Sequence, residues 1–355
     1  MKNVAIVTCI GKSNFGNRLQ NYALQKVIED LGYNVETLEN ISYLNNIDNY
    51  EENYKEYLEY KVEKDKRDYS NRFRIAYFEE FDKNVKFREG MVTIHDLPNT
   101  NYNYYVVGSD QVWNPHHGKL KDLDLLVGIP DSKRISYAAS IGIDELPESV
   151  KDKAKVEWLK FKAISVREDK GKEIIEELTG RSDVQVNLDP TMLLTSEEWS
   201  KLAKRPKQLK KDKYILNYFL GELSEQRKNE IERIAKENDC EIINILDKNG
   251  EFYETGPSEF LYLEQNAFLI CTDSFHSSVF SILFNRPFIV FNREDINKSM
   301  NSRIDTLINT FKLTNRNYEG KITEDSLNHD YSEAFKILDN KRMEAKEYLR
   351  NALRD

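Results

Sequence analysis

Short apolar runs alternate with amphipathic helical patterns along most of the chain. The first run, Val4 to Ile10, is continuous and is followed by a turn rich in glycine and asparagine. Leu19, Ala23 and Val27 then recur at helical spacing, and a second apolar run covers Asn34 to Leu38. Strand, turn, helix and strand in this order predict a βαβ unit, the building block of parallel sheets.

The remaining apolar runs form two series of predicted strands. The first series comprises Tyr104 to Gly108, Ile135 to Ile141 and Ala163 to Val166. The second comprises Val184 to Leu188, Tyr214 to Leu220, Glu241 to Leu246, Phe268 to Thr272 and Phe288 to Phe291. We therefore expect two doubly wound α/β domains, residues 1–166 and 167–330, that face a ligand cleft at the carboxyl ends of their strands.

Two helical segments lie outside this alternation. Residues 48–85 are densely charged and rich in tyrosine, with Phe73, Tyr77 and Phe81 at helical spacing, which predicts a helical insertion in the first domain. Residues 331–355 carry one apolar stripe. This stripe predicts a long C-terminal helix that packs back on one of the domains.

Composition narrows the class of protein. The 355 residues carry a net charge of −9, which argues against a protein that binds nucleic acid through a broadly basic surface. No apolar run approaches the roughly 18 residues of a membrane span. Cys9, Cys240 and Cys271 are odd in number and lie in or beside apolar runs, without a metal-binding pattern. We expect a cytoplasmic protein with reduced cysteines and no bound metal.

Polar residues follow the first strand where a phosphate loop would stand. The segment Gly11 to Arg18 lacks both the Walker A order and the dinucleotide pattern. Asn17, Arg18 and Asn21 nevertheless offer amide and guanidinium donors suited to a ligand rich in hydroxyls. The alternative interpretation is a capped structural turn.

Two further strand ends carry candidate site residues. Asp110 and Trp113 follow the run Tyr104 to Val107, and a carboxylate beside an indole ring is a common way to hold a sugar. The alternative is a capping aspartate and a core tryptophan. Arg167 ends a later strand at the expected domain junction, where it would capture a carboxylate or phosphate, unless it forms a surface ion pair.

The segment Cys271 to Ser278 joins a buried strand to an apolar helix. His276, Ser277 and Ser278 lie at the start of that helix, where free N–H groups and the helix dipole favour an anion. Asp273 is expected to orient the His276 imidazole, which would exchange protons with a phosphorylated ligand. Arg303 follows the last strand and a polar loop, and is a weaker candidate for the same cleft.

Seven ordered segments resemble the polysaccharide pyruvyl transferase family over most of the chain. They are NFGNRLQNYAL (14–24), VGSDQVWN (107–114), SYAAS (136–140), ISVRE (164–168), DPT (189–191), TDSFHS (272–277) and RPF (286–288). The resemblance implies two Rossmann-like domains arranged as in GT-B glycosyltransferases, with acceptor binding on the N-terminal side and donor binding on the C-terminal side. It also implies transfer of pyruvate from phosphoenolpyruvate to a sugar, without a metal or organic cofactor.

The resemblance and the residues together assign roles. His276 is expected to be the general acid and base, with Asp110 as the second catalytic residue. The donor-binding residues would be Arg167, Arg303, Ser277 and Ser278. The acceptor-binding residues would be Asn17, Arg18, Asn21 and Trp113. Members of the family often carry an arginine two residues before this histidine, whereas Ser274 stands here, and we expect Arg303 to supply that charge.

The expected partners are phosphoenolpyruvate and a glycan or lipid-linked sugar, with room for peripheral contact with a membrane surface. Two other functions fit the same pattern. One is a glycosyltransferase that uses a nucleotide sugar and needs a pocket for a base and a ribose. The other is a non-catalytic glycan-binding protein, in which His276 would not be needed for sugar binding.

Overall fold

The computed structural model describes residues 1–11, 13–39, 71–115, 120–293 and 302–354, and the single residues 51, 55, 66 and 69. The chain forms two compact units. Unit 1 comprises Met1–Leu193 and Lys341–Asp355, and unit 2 comprises Leu194–Asn340. Most of the helical insertion expected at 48–85 lies outside the described residues.

Unit 1 is built on a four-stranded parallel sheet in the order β2-β1-β3-β4. The strands are β1 (Asn3–Val7), β2 (Asn34–Thr37), β3 (Tyr104–Val107) and β4 (Arg134–Ser136), and the helices are α1 (Phe15–Asp30), α2 (Arg72–Asp82) and α3 (Glu148–Trp158). All four residues of β3 are buried, as expected for a strand covered on both faces. The prediction of an opening βαβ unit is confirmed.

A second, small parallel sheet also belongs to unit 1. It pairs β5 (Ser165–Val166) with β6 (Gln185–Val186), and α4 (Asp169–Thr179) connects the two strands. Isolated bridges join Ala163 to Ile135 and Val166 to Ala139, so this segment continues the edge of the main sheet beyond β4. The two units therefore divide after Leu193, later in the chain than the boundary expected at 166/167.

Unit 2 is built on another parallel sheet, in the order β10-β9-β7-β8. The strands are β7 (Tyr214–Tyr218), β8 (Glu241–Asn244), β9 (Leu269–Thr272) and β10 (Phe288–Val290). The helices are α5 (Ser196–Ser200), α6 (Glu225–Glu237), α7 (Pro257–Asn266), α8 (Phe275–Leu283), α9 (Ser302–Thr310) and α10 (Glu324–Leu327). Each unit is α/β with a parallel sheet, as the sequence predicts.

Two helices confirm predictions made from apolar patterns. Every residue of α8 is buried, including His276 and its three serines, and the later part of the helix carries the expected apolar run from Val279. The C-terminal helix α11 (Ser332–Ala352) buries the expected stripe, which includes Leu338 and Leu349. Its later part belongs to unit 1, where the Tyr348 hydroxyl donates to the Ser136 carbonyl at 2.7 Å.

The described part of the insertion, α2, buries one arginine together with two phenylalanines. Arg74, Phe78 and Phe81 of α2 are buried, whereas Phe73 is half exposed. The Arg74 guanidinium lies over the Phe15 ring and donates to the Ser13 carbonyl at 3.0 Å. Phe81 is thus the buried member of the aromatic set at helical spacing, and Arg74, which stacks on the Phe15 ring, takes part in the buried surface.

Candidate active-site residues at the sheet edges of the two units

The carboxyl edge of the unit 1 sheet brings Asn17 and Asp110 together. Asn14 caps α1 by accepting a hydrogen bond from the Asn17 backbone N–H at 3.2 Å. The side-chain amide of Asn17 in turn donates to Oδ2 of Asp110, which follows β3. Both residues are predicted members of the acceptor site, and the fold places them in direct contact.

The backbone before Asp110 is held by two close contacts. Ser109 donates its N–H to Oε1 of Gln20 at 2.9 Å, and Nε2 of Gln20 donates to the Thr8 hydroxyl at 2.8 Å. Gly108 has a φ of +132°, and a Cβ at this position would lie 2.0 Å from the Tyr137 carbonyl oxygen. Only glycine fits here, so the direction of Asp110 is set by the sheet itself.

Arg167 lies in unit 1, beside Asp110. It follows β5, and its Nη1 donates to Oδ2 of Asp189 at 2.6 Å, while Nη2 lies 3.7 Å from Oδ1 of Asp110. Burial lowers the pKa of Arg167, but the nearby carboxylates more than compensate and hold it above its ordinary value. The guanidinium is almost inaccessible, which favours a role in holding Asp110 over the expected role of donor anchor in the second domain.

Asp189 is a buried counterion to which the sequence analysis assigned no role. Its Oδ2 accepts from Ser109 Oγ at 3.0 Å as well as from Arg167. Its Oδ1 accepts from the N–H and the hydroxyl of Thr191. The available signal was an aspartate after one strand and an arginine after its neighbour, since β5 and β6 are parallel.

Glu168 fixes the loop that supports Asp110, and the sequence analysis did not single it out. Its Oε1 accepts from the N–H groups of Ile141 and Gly142 at 2.8 and 3.0 Å, and from the Ser140 hydroxyl at 3.1 Å. The Ser140 N–H then donates to the Asp110 carbonyl at 2.9 Å. Glu168 therefore positions Asp110 through the loop.

Three predicted acceptor residues, Arg18, Asn21 and Trp113, have side chains that contact other parts of unit 1. The Arg18 guanidinium is buried against Asp82 at 2.6 Å, and the Asn21 amide donates to the Thr37 hydroxyl at 2.7 Å. These contacts tie α1 to α2 and β2, because the helix face that carries both residues is turned inward. The expectation that Arg18 and Asn21 contact an acceptor is corrected accordingly.

Trp113 is the third of them, and it belongs to the hydrophobic core. It is fully buried, its indole N–H donates to the Asp124 carbonyl at 2.9 Å, and its ring packs 5.4 Å from those of Trp158 and Phe161. A ring enclosed in this way cannot cover the face of a sugar. The alternative interpretation, a core tryptophan, is the correct one.

The carboxyl edge of the unit 2 sheet carries His276 and Asp273. His276 is the second residue of α8, and its side chain is buried beside the Phe275 ring. Asp273 does not play the expected part of orienting it. The Asp273 carboxylate accepts instead from the backbone N–H groups of Leu220 and Gly221 at 2.7 and 2.8 Å, and from Nε of Arg293 at 3.1 Å. Arg293 was not recognised in the sequence.

The serines in the first turn of α8 bond to neighbouring protein groups. Ser274 caps it by accepting from the Ser277 N–H at 3.5 Å, and the Ser278 hydroxyl donates to the Ser274 carbonyl at 3.0 Å. The Ser277 hydroxyl donates to Oε1 of Glu264 on α7 at 2.5 Å. Both predicted donor-binding hydroxyls are thus buried and used for packing, which corrects their assignment.

Glu264 is the buried partner in this contact. Burial raises the pKa of its carboxyl well above the ordinary value, and the hydrogen bond with Ser277 opposes this only in part. Burial between α7 and α8 therefore favours the neutral acid over the carboxylate.

Arg303 lies in the first turn of α9, is largely buried, and belongs to a helix that packs against α8. Its expected role as a donor anchor stays a prediction. His116 and His117 lie outside the described residues. Within the described part of the chain, no three histidine, cysteine or acidic side chains are grouped as metal ligands. No helix among the same residues is long and apolar enough to cross a membrane.

Comparison with solved structures finds several low-identity likenesses. UDP-GlcNAc 2-epimerase from Methanocaldococcus jannaschii shares 15% identity over 96% of this chain and 94% of its own, with a TM-score of 0.49. The Neisseria meningitidis UDP-GlcNAc 2-epimerase shares 10% identity over 97% and 100%, with a TM-score of 0.49. MurG from Acinetobacter baumannii shares 11% identity over 99% of both chains, with a TM-score of 0.43. A search of curated protein sequences finds no match.

Parallel α/β units with ionisable side chains at the carboxyl edges of their sheets are a common architecture of ligand-binding enzymes. A family model identifies the class more closely. The chain belongs to the polysaccharide pyruvyl transferase family, whose model matches residues 14–295. The resemblance noted in the sequence is thereby confirmed.

Proposed function

We propose that this protein transfers a pyruvyl group from phosphoenolpyruvate to two hydroxyls of a sugar, in a cell-surface polysaccharide or its precursor, and so forms a pyruvate ketal. Family membership supports the reaction class. The observation that carries the proposal further is the different chemistry of the two sheet edges. A carboxylate and an amide meet in unit 1, whereas unit 2 carries a histidine and an arginine held by Asp273.

In this proposal unit 1 binds the acceptor through Asp110 and Asn17. A carboxylate accepts hydrogen bonds from sugar hydroxyls, and a side-chain amide both donates and accepts. Asp110 is also the group that withdraws a proton from an attacking hydroxyl, with Arg167 beside it to stabilise its charge. Arg18, Asn21 and Trp113 are left out because their side chains serve the fold.

Unit 2 binds the donor, with His276 as general acid and base. Protonation of the methylene carbon of phosphoenolpyruvate makes its neighbouring carbon electrophilic, and a sugar hydroxyl attacks that carbon and loses its proton. The C–O bond to phosphate then breaks, and a second hydroxyl closes the ketal and loses its proton. Two hydroxyl protons are released, one proton is taken up by the methylene carbon, and the other leaves with phosphate. Histidine suits such transfers near neutral pH.

The proposed reaction needs no metal or organic cofactor, because the enol phosphate is already activated. We place it in the cytoplasm. All three cysteines, Cys9, Cys240 and Cys271, are free thiols, which is compatible with a reducing compartment.

The test is phosphate release from phosphoenolpyruvate by the purified chain, across a panel of nucleotide-linked, lipid-linked and free sugars. We expect release with at least one acceptor, together with a product heavier than the acceptor by pyruvic acid less water. The His276→Gln variant is the matched control and should release no phosphate above background.

Two outcomes would contradict the proposal. One is the absence of both phosphoenolpyruvate binding and phosphate release with every acceptor. The other is transfer of a glycosyl group from a nucleotide sugar, which would support the alternative of a glycosyltransferase.

A further inference from the structure

We propose that Arg293 is an anion-binding residue at the carboxyl edge of the unit 2 sheet, and that Asp273 holds it in place for phosphate or carboxylate oxygens. The inference rests on the proposed function for its ligand, phosphoenolpyruvate. It assigns the main positive charge at this edge to a residue after β10, twenty positions along the chain from its partner Asp273.

The position of Arg293 follows from the strand order. β9 and β10 are parallel neighbours, so the residues that follow them leave the sheet at the same edge. Asp273 directly follows β9 and Arg293 follows β10, and Nε of the arginine lies 3.1 Å from Oδ2 of the aspartate. His276, the second residue of α8, comes three residues after Asp273, so an acid–base group and a guanidinium follow neighbouring strands.

The backbone that carries Arg293 is anchored on both sides of the sheet edge. The Phe291 N–H donates to the Thr272 carbonyl at 2.8 Å, which continues the pairing of β10 with β9. Nη1 of Arg227, on α6, donates to the Asn292 carbonyl at 2.8 Å. A binding group supported in this way loses little conformational freedom when its ligand arrives.

Asp273 is suited to orient the arginine. Two backbone N–H groups, of Leu220 and Gly221, already stabilise the carboxylate before Arg293 adds its Nε. The arginine contact through Nε fixes the plane of the guanidinium and the direction of its two Nη groups, which match the oxygens of a phosphate or carboxylate. The side chain is about nine-tenths buried, so its charge is poorly screened by salt.

The first turn of α8 supplies less to an anion than its sequence suggests. Ser274 already occupies the Ser277 N–H, and the hydroxyls of Ser277 and Ser278 bond to Glu264 and to the Ser274 carbonyl. We therefore assign the positive charge for an anion at this edge to Arg293, which Asp273 holds directly.

The test is a binding titration of the full chain with phosphoenolpyruvate, inorganic phosphate and UDP at low ionic strength. We compare the wild type with Arg293→Gln, Arg293→Lys and Lys236→Gln. Lys236 is exposed near the end of α6, and this helix runs back from the carboxyl edge, so its variant removes the same charge at the opposite edge.

We expect Arg293→Gln to weaken binding of phosphoenolpyruvate and phosphate by about tenfold or more, since a charge-assisted hydrogen bond is lost. Lys236→Gln should stay within about twofold of wild type. Arg293→Lys keeps the charge without the fork and should fall between. Thermal unfolding of each variant separates a loss of binding from a loss of folding. If Arg293→Gln does not fold, Arg293→Lys decides the matter.

Wild-type affinity in a folded Arg293→Gln protein, or in Arg293→Lys where Gln does not fold, would overturn the inference. So would a wild type that binds none of the three anions. Its failure is distinguishable from that of the proposed function. If Arg293→Gln forms the ketal with an unchanged KM for phosphoenolpyruvate, the proposed function stands and only the role of Arg293 is wrong. If UDP binding depends on Arg293 and no sugar receives a ketal, Arg293 is an anion-binding residue but the proposed pyruvyl transfer is wrong.

Discussion

Arg167 and Asp189 form an ion pair at 2.6 Å whose two side chains are 1% and 0% exposed. The pair joins the small sheet of unit 1 to the loop that carries Asp110, because Asp189 also accepts from the Ser109 hydroxyl. Charges buried this deeply are stable only with their partners in place. The candidate acceptor site therefore depends on Asp189, whose side chain is not accessible from the surface.

Asp189→Ala should lower the free energy of unfolding by about 3–5 kcal/mol, because it leaves the Arg167 charge buried without its main counterion. Urea unfolding measures the loss. The matched control is Asp183→Ala, which breaks an exposed pair with Arg181 at 2.7 Å and should cost no more than about 1 kcal/mol. Equal losses in the two variants would show that the buried pair contributes no more to stability than the pair at the surface.

Gly108→Ala should cost far more stability than Gly180→Ala, although both glycines have a positive φ. Gly180 ends α4 with no atom within 4 Å of a Cβ, so its variant should lose only about 1–2 kcal/mol of backbone energy. At Gly108 the Cβ would meet the Tyr137 carbonyl oxygen at 2.0 Å, and the backbone must move. Unfolding of the purified variants measures both costs. Similar losses of stability in the two variants would mean that the backbone before Asp110 can move at little cost in free energy.

Glu264 should make the protein less stable as pH rises. Its pKa is raised in the folded state, so the folded protein binds the proton more tightly than the unfolded chain. This contribution is complete below the ordinary pKa of about 4.5 and is lost as pH rises through the folded value, with a slope of at most about 1.4 kcal/mol per pH unit.

The measurement is the difference in unfolding free energy between wild type and Glu264→Gln at several pH values. The amide is neutral throughout, so the free energy of unfolding of the wild type should fall relative to that of the variant as pH rises. Glu254→Gln, at an exposed position, should leave the pH dependence unchanged. A difference between wild type and Glu264→Gln that is constant with pH would rule out a buried neutral acid.

Trp113→Phe should lower stability without changing acceptor affinity, since the indole lies in the core. Trp158→Phe, at the ring packed against it, should behave in the same way. Removal of the whole ring in Trp113→Ala should cost about 3–5 kcal/mol. Acceptor titrations and unfolding curves measure the two effects. A weaker acceptor affinity in a Trp113→Phe protein of normal stability would restore the sugar-binding interpretation.

His276→Gln should reduce pyruvyl transfer by about 10²- to 10⁴-fold while phosphoenolpyruvate still binds, because the variant loses proton transfer and keeps the positive charge of Arg293. The control is His329→Gln, at the surface, where the imidazole lies 2.9 Å from the Asn285 carbonyl. Turnover assays and donor titrations provide the two readouts. Normal turnover in His276→Gln would remove this residue from the reaction.

The sequence was sufficient for the elements but not for their assignment to sheets. Continuous apolar runs such as Tyr104–Val107 identify strands buried on both faces, and the run Ala163 to Val166 contains β5. Which sheet a strand joins depends on distant pairing. The run Val184 to Leu188 was expected in the second domain, but β6 pairs with β5, which extends the sheet edge next to β4, so β6 belongs to unit 1.

The same reason explains the candidate sites. Asn17 and Asp110 were predicted together because each follows a structural signal of its own, a helix start and a strand end. The pairs Arg167–Asp189 and Asp273–Arg293 depend on neighbouring parallel strands that local patterns do not reveal. Burial was equally hidden, since a tryptophan after a strand has the same sequence pattern whether it faces solvent or Trp158.

The return of α11 to unit 1 has a consequence for synthesis of the protein on the ribosome. Unit 2 is one continuous stretch, Leu194–Asn340, whereas unit 1 also requires the residues from Lys341 onward, where Arg342 donates to the Met192 carbonyl at 2.6 Å and Tyr348 to Ser136. The unit that is translated first is therefore the last to have all of its residues. During synthesis, Ser136 in β4 therefore lacks its contact with Tyr348 until the end of α11 has left the exit tunnel.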